Sequence, residues 1–579
     1  MLTITKTEIM KTMKYPIALF ASLLLFTAGY GQQNKEDKQQ EGYSEEVTII
    51  APYQPSISDA RKIDLLPTAE TQEVEKKSVS YNIQPQKIDV RFDPETLNAV
   101  RLQEDQHTSL KANFVKVGFG NYKTPYGELF STTGQSEKHR AGFHLRHLSH
   151  SGSINNYATP KSSHNLAEVF GEKYFKNSSL YAKARYDRDV YHRYGFNPQA
   201  PQFNNIPYNE DDIKQTFSAA GANIRYEKLD SDKDEFDYHL DLDYYSWWDL
   251  YNSLEHSVAL DVFGNKPVEW FDALEYQSFG MNGRFKFFNS GDSIEAVNNV
   301  HVSLRPFLQI RNGFYFLKGG VNLSTIMTDD NETLFSIFPD VSARIHVVPG
   351  YLTLFGGVTG EKSFNSLRSL TRENPFLGTE IINATNRRNF QTQKLNAYGG
   401  IKGNIMRGVD FRFKFAYSEN DNYPLFQTNY SSAFENQFTI TYDTLAITDF
   451  SAGIIIKGGE RFKLDIGGHY YSYSSGQEHP WHLPEMKFTT NTEYALGANM
   501  PLTLSLSSTI LTGRYASDDQ GNAFELENIV DISAKAEYDY NESLRAFVRV
   551  NNLTAQNQLW WNNYPSYGLN FLIGAGYSF

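Results

Sequence analysis

The 579-residue sequence contains no cysteine. This absence excludes a disulfide-bonded scaffold, a thiol nucleophile, a thiolate metal site and a lipid-modified cysteine. Beyond the N-terminus the sequence also lacks any apolar run long enough to cross a membrane as a helix. Positive charge is in deficit, with 54 Lys and Arg against 67 Asp and Glu and a net charge of −13. This balance argues against nucleic acid as a partner.

The N-terminus carries a short apolar segment of its own. Basic residues up to Lys14 precede the apolar run Ile17–Phe26, and the small residue Gly31 suits cleavage before residue 32. The run is too short to span a bilayer as a helix. Residues 1–31 are therefore predicted to be a signal peptide that directs export.

Aromatic residues are abundant, at 15 % of the chain with 37 Tyr and 41 Phe, and many recur at every second position. In the final segment one face of a strand would carry Leu569, Phe571, Ile573, Ala575, Tyr577 and Phe579. The opposite face would carry Asn570, Leu572, Gly574, Gly576 and Ser578. A strand with acyl chains on one side and a wet lumen on the other has this pattern.

Charged residues alternate with apolar ones in the same way at 236–244, 409–417 and 532–540. A face with charges at every second position must be aqueous, because burying those charges in hydrocarbon is too costly. A large soluble all-β protein is the alternative interpretation. The recurrence favours a transmembrane barrel in the outer membrane of a Gram-negative cell.

Turn signals divide the chain from Ser109 onward into 22 predicted strands. The strands start near residues 109, 126, 139, 164, 178, 213, 236, 254, 271, 297, 313, 335, 351, 392, 409, 436, 461, 487, 502, 526, 543 and 568. Tight turns and longer loops, among them a loop over 421–435, then alternate without a break if 436–457 is one strand. Both ends of the barrel are then periplasmic. A miscounted hairpin would give twenty or twenty-four strands. The predicted fold is all-β: an antiparallel up-and-down barrel of about 22 strands over 109–579.

Residues 32–108 differ from the barrel region. They begin with the polar run 34–42, contain scattered prolines and show little sustained alternation. So few aromatic residues bury little core. An extended periplasmic segment is therefore expected here.

The C-terminal sequence resembles the last two strands of TonB-dependent receptors, particularly those of Bacteroidota. The resemblance covers VRVNNL at 548–553, WWNNYP at 560–565, and GLNF and GAGYSF within 568–579. Phe571, Tyr577 and Phe579 are the residues of this signature that we expect to close the barrel. The resemblance implies insertion into outer-membrane lipid by the barrel assembly machinery.

Residues 45–51, with the sequence EEVTIIA, resemble the short extended box that these receptors offer to TonB. The resemblance implies that a periplasmic energy-coupling protein pairs with this segment by β-strand addition. The expected contact residues are Glu46, Val47, Thr48, Ile49 and Ile50. A short strand or a chaperone-binding stretch is the alternative interpretation.

The chain departs from the receptor pattern between this box and the barrel. Residues 52–108 are fewer than a receptor plug contains, and they lack its glycine-rich, arginine-containing pattern. Because a 22-stranded lumen is wide, a reduced plug, the barrel's own loops or a partner protein must fill it. Two functions stay open: ligand uptake across the outer membrane, and a non-transporting barrel that serves as a structural or assembly partner in an envelope complex.

The sequence offers little for catalysis or metal binding. The one dense histidine group is His139, His144, His147 and His150. Alternation along a strand places His139 and His147 on one face and His144 and His150 on the opposite face, so the four side chains do not converge. The acidic stretches 209–212 and 230–235 lack calcium-loop spacing, and no hydrolase motif occurs. We expect neither an enzyme nor a cofactor or metal site.

Overall fold

The computed structural model describes residues 111–579 except 135, 137, 230–234, 272–273, 292–295, 380–389 and 498–499. The predicted signal peptide (1–31), the periplasmic segment (32–108) and the box residues 45–51 lie outside the described residues. Within the described part, no helix is long and apolar enough to cross a membrane.

The described residues form β-strands, a short α-helix and a 3-10 helix. The strands are β1 (Asn113–Gly120), β2 (Thr124–Thr132), β3 (His139–His150), β4 (Ser162–Tyr174), β5 (Ser178–His192), β6 (Lys214–Lys228), β7 (Asp237–Asp249), β8 (Leu254–Pro267), β9 (Tyr276–Gly291), β10 (Ala296–Arg311), β11 (Tyr315–Met327), β12 (Thr333–Val348), β13 (Leu352–Phe364), β14 (Phe390–Met406), β15 (Val409–Thr428), β16 (Phe438–Gly458), β17 (Phe462–Ser475), β18 (Met486–Ala495), β19 (Leu502–Thr512), β20 (Arg514–Ser517), β21 (Ala523–Leu526), β22 (Ile529–Asp539), β23 (Leu544–Asn551), β24 (Leu559–Trp561), β25 (Tyr564–Pro565) and β26 (Asn570–Ser578). The helices are α1 (Leu367–Glu373) and the 3-10 helix Glu210–Ile213.

Twenty-two of these strands form one closed antiparallel barrel. Consecutive barrel strands pair along the chain, and β1 pairs with β26 to complete the ring, with Val117 opposite Ala575. Strands β20–β21 and β24–β25 are separate hairpins in the connections before β22 and β26. Closure leaves no unpaired edge among these 22 described strands. The predicted all-β, 22-stranded antiparallel barrel is confirmed.

The two ends of the barrel differ. At the turn end, where β1 begins and β26 ends, the connections are short. One of them is the β14–β15 turn, where Gly408 has a φ of +86° and an added Cβ would lie 2.4 Å from the Lys457 carbonyl oxygen. At the loop end the connections include 193–213, 513–528 and 552–569. This asymmetry follows the predicted alternation of turns and loops.

Strand positions agree closely with the predicted ones, with two instructive differences. Strand β9 begins at Tyr276 and not near 271. Strand β15 continues to Thr428, where a loop was expected from 421, because a bulge between Asn420 and Tyr423 restores its pairing with β16. The single long strand expected over 436–457 is β16.

The outer face of the barrel is apolar. Phe571 and Ile573 of β26, and Phe579 directly after it, are 37 %, 53 % and 55 % exposed, whereas the inward Leu572 is only 8 % exposed. The same outward exposure recurs around the ring at Val117, Val169, Ile224, Leu242, Phe279, Phe335 and Leu504. An exposed apolar surface this extensive needs an apolar environment.

The closing register can be tested with cysteines, since the chain has none of its own. The double variant Val117→Cys with Ala575→Cys places two thiols on directly opposed residues of β1 and β26. Opposed residues fall within the Cα separation that a disulfide allows. We expect oxidation to cross-link most of the protein, measured by gel mobility and peptide mass spectrometry. The matched pair Val117→Cys with Phe571→Cys is four residues out of register and should not cross-link. Equal cross-linking of both pairs would refute the pairing of β1 with β26 in this register.

Candidate functional site

The inward face of the barrel is polar over most of its height. On β6 and β7 the inward positions are odd-numbered, because the even-numbered Ile224 and Leu242 are exposed on the outside. Inward charges pair between neighbouring strands at Arg140–Glu172, Arg225–Asp241, Arg284–Asp261 and Lys318–Asp340, with N–O distances of 3.0, 2.8, 2.6 and 2.8 Å. Such exposed pairs add little stability each, and they balance the charge of a hydrated lumen.

The polarity of the inward face changes near the loop end. There the inward positions of β6 and β7 are Phe217, Ala219, Tyr245 and Trp247, all buried. They pack against Leu367, Leu370, Phe376 and Leu377 of the connection between β13 and β14. The described part of this connection, 365–379, therefore folds into the lumen and packs against the wall. We call the wall residues Phe217, Ala219, Tyr245 and Trp247 the aromatic shelf.

Helix α1 is fixed to the wall by a carboxylate. Glu255, at the loop end of β8, is fully buried and accepts hydrogen bonds from the Leu367 backbone N–H at 2.6 Å and from the Tyr245 hydroxyl at 2.7 Å. The Ser366 side chain caps the same helix by accepting from the Ser369 N–H. A side-chain oxygen that accepts from the free N–H groups at a helix start is stabilising. Glu255 thus links the first turn of α1 to the barrel.

A second anchor holds the other end of this segment. The Asp249 carboxylate accepts hydrogen bonds from the Thr379 hydroxyl and from the Gln215 amide. The buried Arg193 donates to the Leu377 carbonyl oxygen at 3.2 Å. Segment 365–379 is therefore held at one end by Glu255 of the inner wall, and at the other end by Asp249 and by Arg193 of the loop after β5.

The hairpin β24–β25 is the centre of the loop assembly. The ring of Tyr564 stacks on Phe376 with a centroid distance of 3.5 Å, and its hydroxyl donates to the Asn436 carbonyl oxygen. The Tyr194 hydroxyl donates to the Pro565 carbonyl oxygen at 2.8 Å. Burial raises the pKa of the Tyr564 hydroxyl, so the ring stays neutral. One hairpin thus touches three other loops.

Loops from opposite sides of the ring meet. Phe196, in the loop after β5, stacks on Phe434, in the loop after β15, with centroids 4.4 Å apart. These loops leave the barrel ten strands apart in a ring of 22. We call the interlocked loops the cap. The cap comprises 193–213, 365–379, 429–437, 476–485, 513–528 and 552–569.

A buried histidine joins two parts of the cap to β15. The His482 Nδ1–H donates to the Phe426 carbonyl oxygen at 3.0 Å, and its Nε2 accepts from the Asn562 backbone N–H at 3.3 Å. This pattern needs the neutral ring. Burial lowers the pKa of His482 to about 3, because charging it would cost desolvation.

An arginine ties the two small hairpins together. Arg514, on β20, donates to the carbonyl oxygens of Trp560, Leu559 and Glu527 at 2.9, 2.7 and 3.0 Å. Burial lowers its pKa to about 10, which still leaves the guanidinium charged at neutral pH. One side chain therefore satisfies three carbonyl groups, two in the hairpin β24–β25 and one just after β21.

Comparison with known proteins shows which solved structures share this fold. No protein-family model matches the sequence, and no curated protein matches it. Solved structures do match. The siderophore receptor PirA of Acinetobacter baumannii is 10 % identical, with a TM-score of 0.62 over 82 % of this chain and 81 % of that chain. The barrel has the fold of outer-membrane TonB-dependent receptors.

Two further solved structures of outer-membrane receptors match the same barrel. The ferric-catecholate import receptor Fiu of E. coli K12 is 9 % identical, with a TM-score of 0.61 over 81 % of this chain and 82 % of that chain. The ferripyoverdine receptor of the Pseudomonas aeruginosa outer membrane is 12 % identical, with a TM-score of 0.59 over 82 % of this chain and 72 % of that chain. At these identities the likeness is one of fold.

The structure places some of the sequence-predicted residues. Phe571 and Tyr577 lie on the outer face of β26, and Phe579, which is also exposed, directly follows this strand. Their role in closing the barrel stays a prediction. The box residues Glu46 to Ile50 lie outside the described residues. Within the described part, no group of three or more acidic, His or Cys side chains could hold a metal ion.

The four histidines of β3 are dispersed. On the inward face, the His144 Nε2 lies 2.9 Å from a Glu128 carboxylate oxygen, and the His150 Nδ1 lies 2.9 Å from the Thr124 hydroxyl. On the other face, His147 contacts the Asn165 amide oxygen at 2.7 Å. The predicted division of the group between two faces is therefore observed for these residues.

The cap residues were missed at the sequence level. One signal was present: in β7 the inward positions run from Asp237 to Asp243 as charged or polar residues and then become Tyr245 and Trp247. An aromatic pair on a face that is otherwise polar indicates that something packs against it. The identity of the packing segment depends on contacts between residues more than a hundred positions apart, such as Glu255 with Leu367.

Removing the carboxylate at position 255 should loosen α1. Glu255→Ala leaves the Leu367 N–H and the Tyr245 hydroxyl without their acceptor, which costs about 1–3 kcal/mol per buried group. We expect faster hydrogen exchange and proteolysis within 365–379 and little change in the barrel strands. Glu493→Ala, on the inward face of β18, is the matched control. Equal protection of 365–379 in both variants would contradict the anchor.

The cap should also weaken in acid through His482. Its pKa is lowered from 6.5 to about 3 when the cap is closed, so the open state binds a proton first as pH falls. Stability due to the neutral ring is complete above pH 6.5 and is lost toward pH 3, by about 1.4 kcal/mol per pH unit. Hydrogen exchange of 476–485 and 559–565 between pH 7 and 4 measures this. His482→Gln keeps one donor and one acceptor but does not titrate, so it should make the stability of the cap nearly independent of pH. An unchanged pH dependence in this variant would contradict the role of His482.

Proposed function

We propose that this chain is an outer-membrane barrel that takes up a ligand, with the cap as its outer gate. The observation that carries the proposal is the inverted polarity of the barrel, apolar outside and charged inside. Such a surface suits a bilayer, and such a lumen suits water and polar solutes. Under this proposal the turn end faces the periplasm and the loop end faces the exterior.

The membrane position is supported by the ring of outward side chains. Val117, Ile224 and Phe335 are 58 %, 47 % and 61 % exposed on different parts of the barrel. Exposed aromatic residues lie near both ends, including Trp248 at the loop end and Trp270 at the turn end. Aromatic residues at two levels suit the two membrane–water interfaces. Outer-membrane lipid and the barrel assembly machinery are therefore the first partners we propose.

Uptake is supported by the fold and by the cap. The structural neighbours are described as a ferric-catecholate import receptor and a siderophore receptor. A cap that must open to admit a solute gives control over entry. We further propose that residues 45–51 engage TonB or another periplasmic protein by strand addition, that 32–108 follow a signal peptide into the periplasm, and that the chain is of the Bacteroidota type without a full plug.

A second candidate function is a non-transporting barrel that serves as a structural or assembly partner in an envelope complex. The density of contacts in the cap favours it. The cap is held by carboxylate anchors at Glu255 and Asp249, by the Arg514 clamp and by stacked aromatic rings. A permanently closed mouth would need no plug and would pass no ligand.

Conductance in planar bilayers separates the two functions. We compare the full chain, a variant lacking 34–108, a variant with 366–378 replaced by a short Gly/Ser linker, and the combination of both changes. Uptake through a gated lumen predicts a closed full chain and large conductance steps in at least one variant. Replacement of the exposed hairpin tip 519–521 is the control and should stay closed.

The pattern of opening identifies the seal. Opening by loss of 34–108 alone makes that segment the seal, and opening by the linker alone makes the cap the seal. If opening needs both changes, then each segment closes the lumen independently. If even the combined variant stays closed, the uptake proposal is wrong and the structural role stands.

A further inference from the structure

The strongest unassigned feature of the cap is a cavity of about 320 Å³ between the hairpin β24–β25 and the barrel wall. Its volume lies at the lower end of the range for small-molecule sites. The wall side contributes Asp531, Asn551 and Asn570, and the cap side contributes Trp560, Trp561 and Tyr567. The cavity therefore has one polar wall and one aromatic wall.

The polar wall has unused hydrogen-bonding capacity. The Asp531 Oδ1 is buried and has no hydrogen-bond partner in the described part of the chain. A buried carboxylate oxygen without a partner is costly and rare. Asn551 donates its amide to the Asn570 amide oxygen at 2.7 Å, and both of these side chains line the cavity beside Asp531. These three groups suit a ligand that both donates and accepts.

The aromatic wall holds one ring in place without covering it. Arg514 fixes the Trp560 backbone through its carbonyl oxygen at 2.9 Å, yet Trp560 is 39 % exposed. Its neighbour Trp561 is used for packing against Phe426 and Phe438. A partly exposed indole that lines the cavity on a fixed backbone provides a platform for a flat apolar surface.

The charge of the cavity narrows the ligand class. None of its lining residues is Lys, Arg or His, and Asp531 contributes a carboxylate. An anionic ligand would meet repulsion without a counter-charge. A purely apolar ligand would leave Asp531 and both amides unpaired. A neutral molecule with several hydroxyl groups around an apolar ring face satisfies both walls.

We propose that this cavity binds one pyranose ring of a neutral saccharide, with the ring face on Trp560 and its hydroxyl groups on Asp531, Asn551 and Asn570. This deepens the proposed uptake function, on which its biological meaning rests. Asn551 also borders a second hollow of about 580 Å³ on the inner wall formed by β17, β18, β19, β22 and β23. Its lining includes Ser507, Ser533 and Lys535. A saccharide released from the cavity would enter this polar strip of the lumen.

The test is direct binding to the purified full chain in detergent, by isothermal titration calorimetry and tryptophan fluorescence. The probes are maltotriose, galactotriose, mannotriose and the trimer of N-acetylglucosamine, each up to millimolar concentration. We expect at least one to bind. Trp560→Ala should weaken its binding at least about tenfold, since a central aromatic contact often dominates a small site. Asp531→Asn should weaken it measurably while keeping the side-chain shape.

Two controls keep the result interpretable. Trp270→Ala removes an exposed tryptophan at the turn end and should leave binding unchanged. Hydrogen exchange of the cap checks that Trp560→Ala remains folded, and Trp560→Phe should retain part of the affinity. Retained affinity in Trp560→Ala, or failure of all four saccharides to bind, would overturn the proposal. Binding of a ferric catecholate or an Asn-rich tripeptide that depends on Trp560 would also overturn it.

The outcome is separable from that of the uptake proposal. Binding is measured without a membrane gradient, whereas uptake is tested by conductance. Saccharide binding by a barrel that never conducts would support the cavity and refute transport. Conductance without saccharide binding would refute the cavity and leave transport standing.

Discussion

Closure of the backbone hydrogen-bond ladder is the constraint on which this structure depends. In an apolar environment an unpaired N–H or C=O group costs several kcal/mol, so a sheet can be stable there only as a ring without edges. The pairing of β1 with β26 supplies that closure. Because successive side chains point to opposite faces, the ring also fixes which residues meet the outside and which meet the lumen.

A closed barrel of 22 strands has a wide lumen, and the second requirement is that its opening at the loop end be filled. The chain meets it by changing the chemistry of its inward face along the height of the wall. Ion pairs such as Arg225–Asp241 line the wet part, and aromatic residues such as Trp247 form the shelf near the loop end. Segment 365–379 rests on this shelf, and the hairpin β24–β25 joins it to loops from other parts of the ring. The position of the cap thus depends on the change from charged to aromatic residues along the inward face of the strands.

The barrel could be predicted from the sequence because its signals are local. Alternation in segments such as 236–244 and turn residues such as Gly408 each act within a few positions, and the strand count follows from their parity. The cap could not be predicted in this way. Its contacts join residues far apart in the chain, as when His482 binds Asn562, and no short pattern encodes such a pair. The bulge at Asn420–Tyr423 was missed because a bulge preserves pairing while it breaks the alternation.

The most direct test of this account asks whether the cap closes the mouth from outside. The chain has no cysteine, so a single one can be placed at Ser507→Cys on the lumen wall or at Asp519→Cys on the exposed hairpin tip. Intact cells are treated with a bulky, membrane-impermeant maleimide, and labelling rates are compared with those after outer-membrane permeabilisation. The account predicts rapid labelling at 519 in intact cells, and labelling at 507 only after permeabilisation. Equally rapid labelling of both positions in intact cells would contradict it.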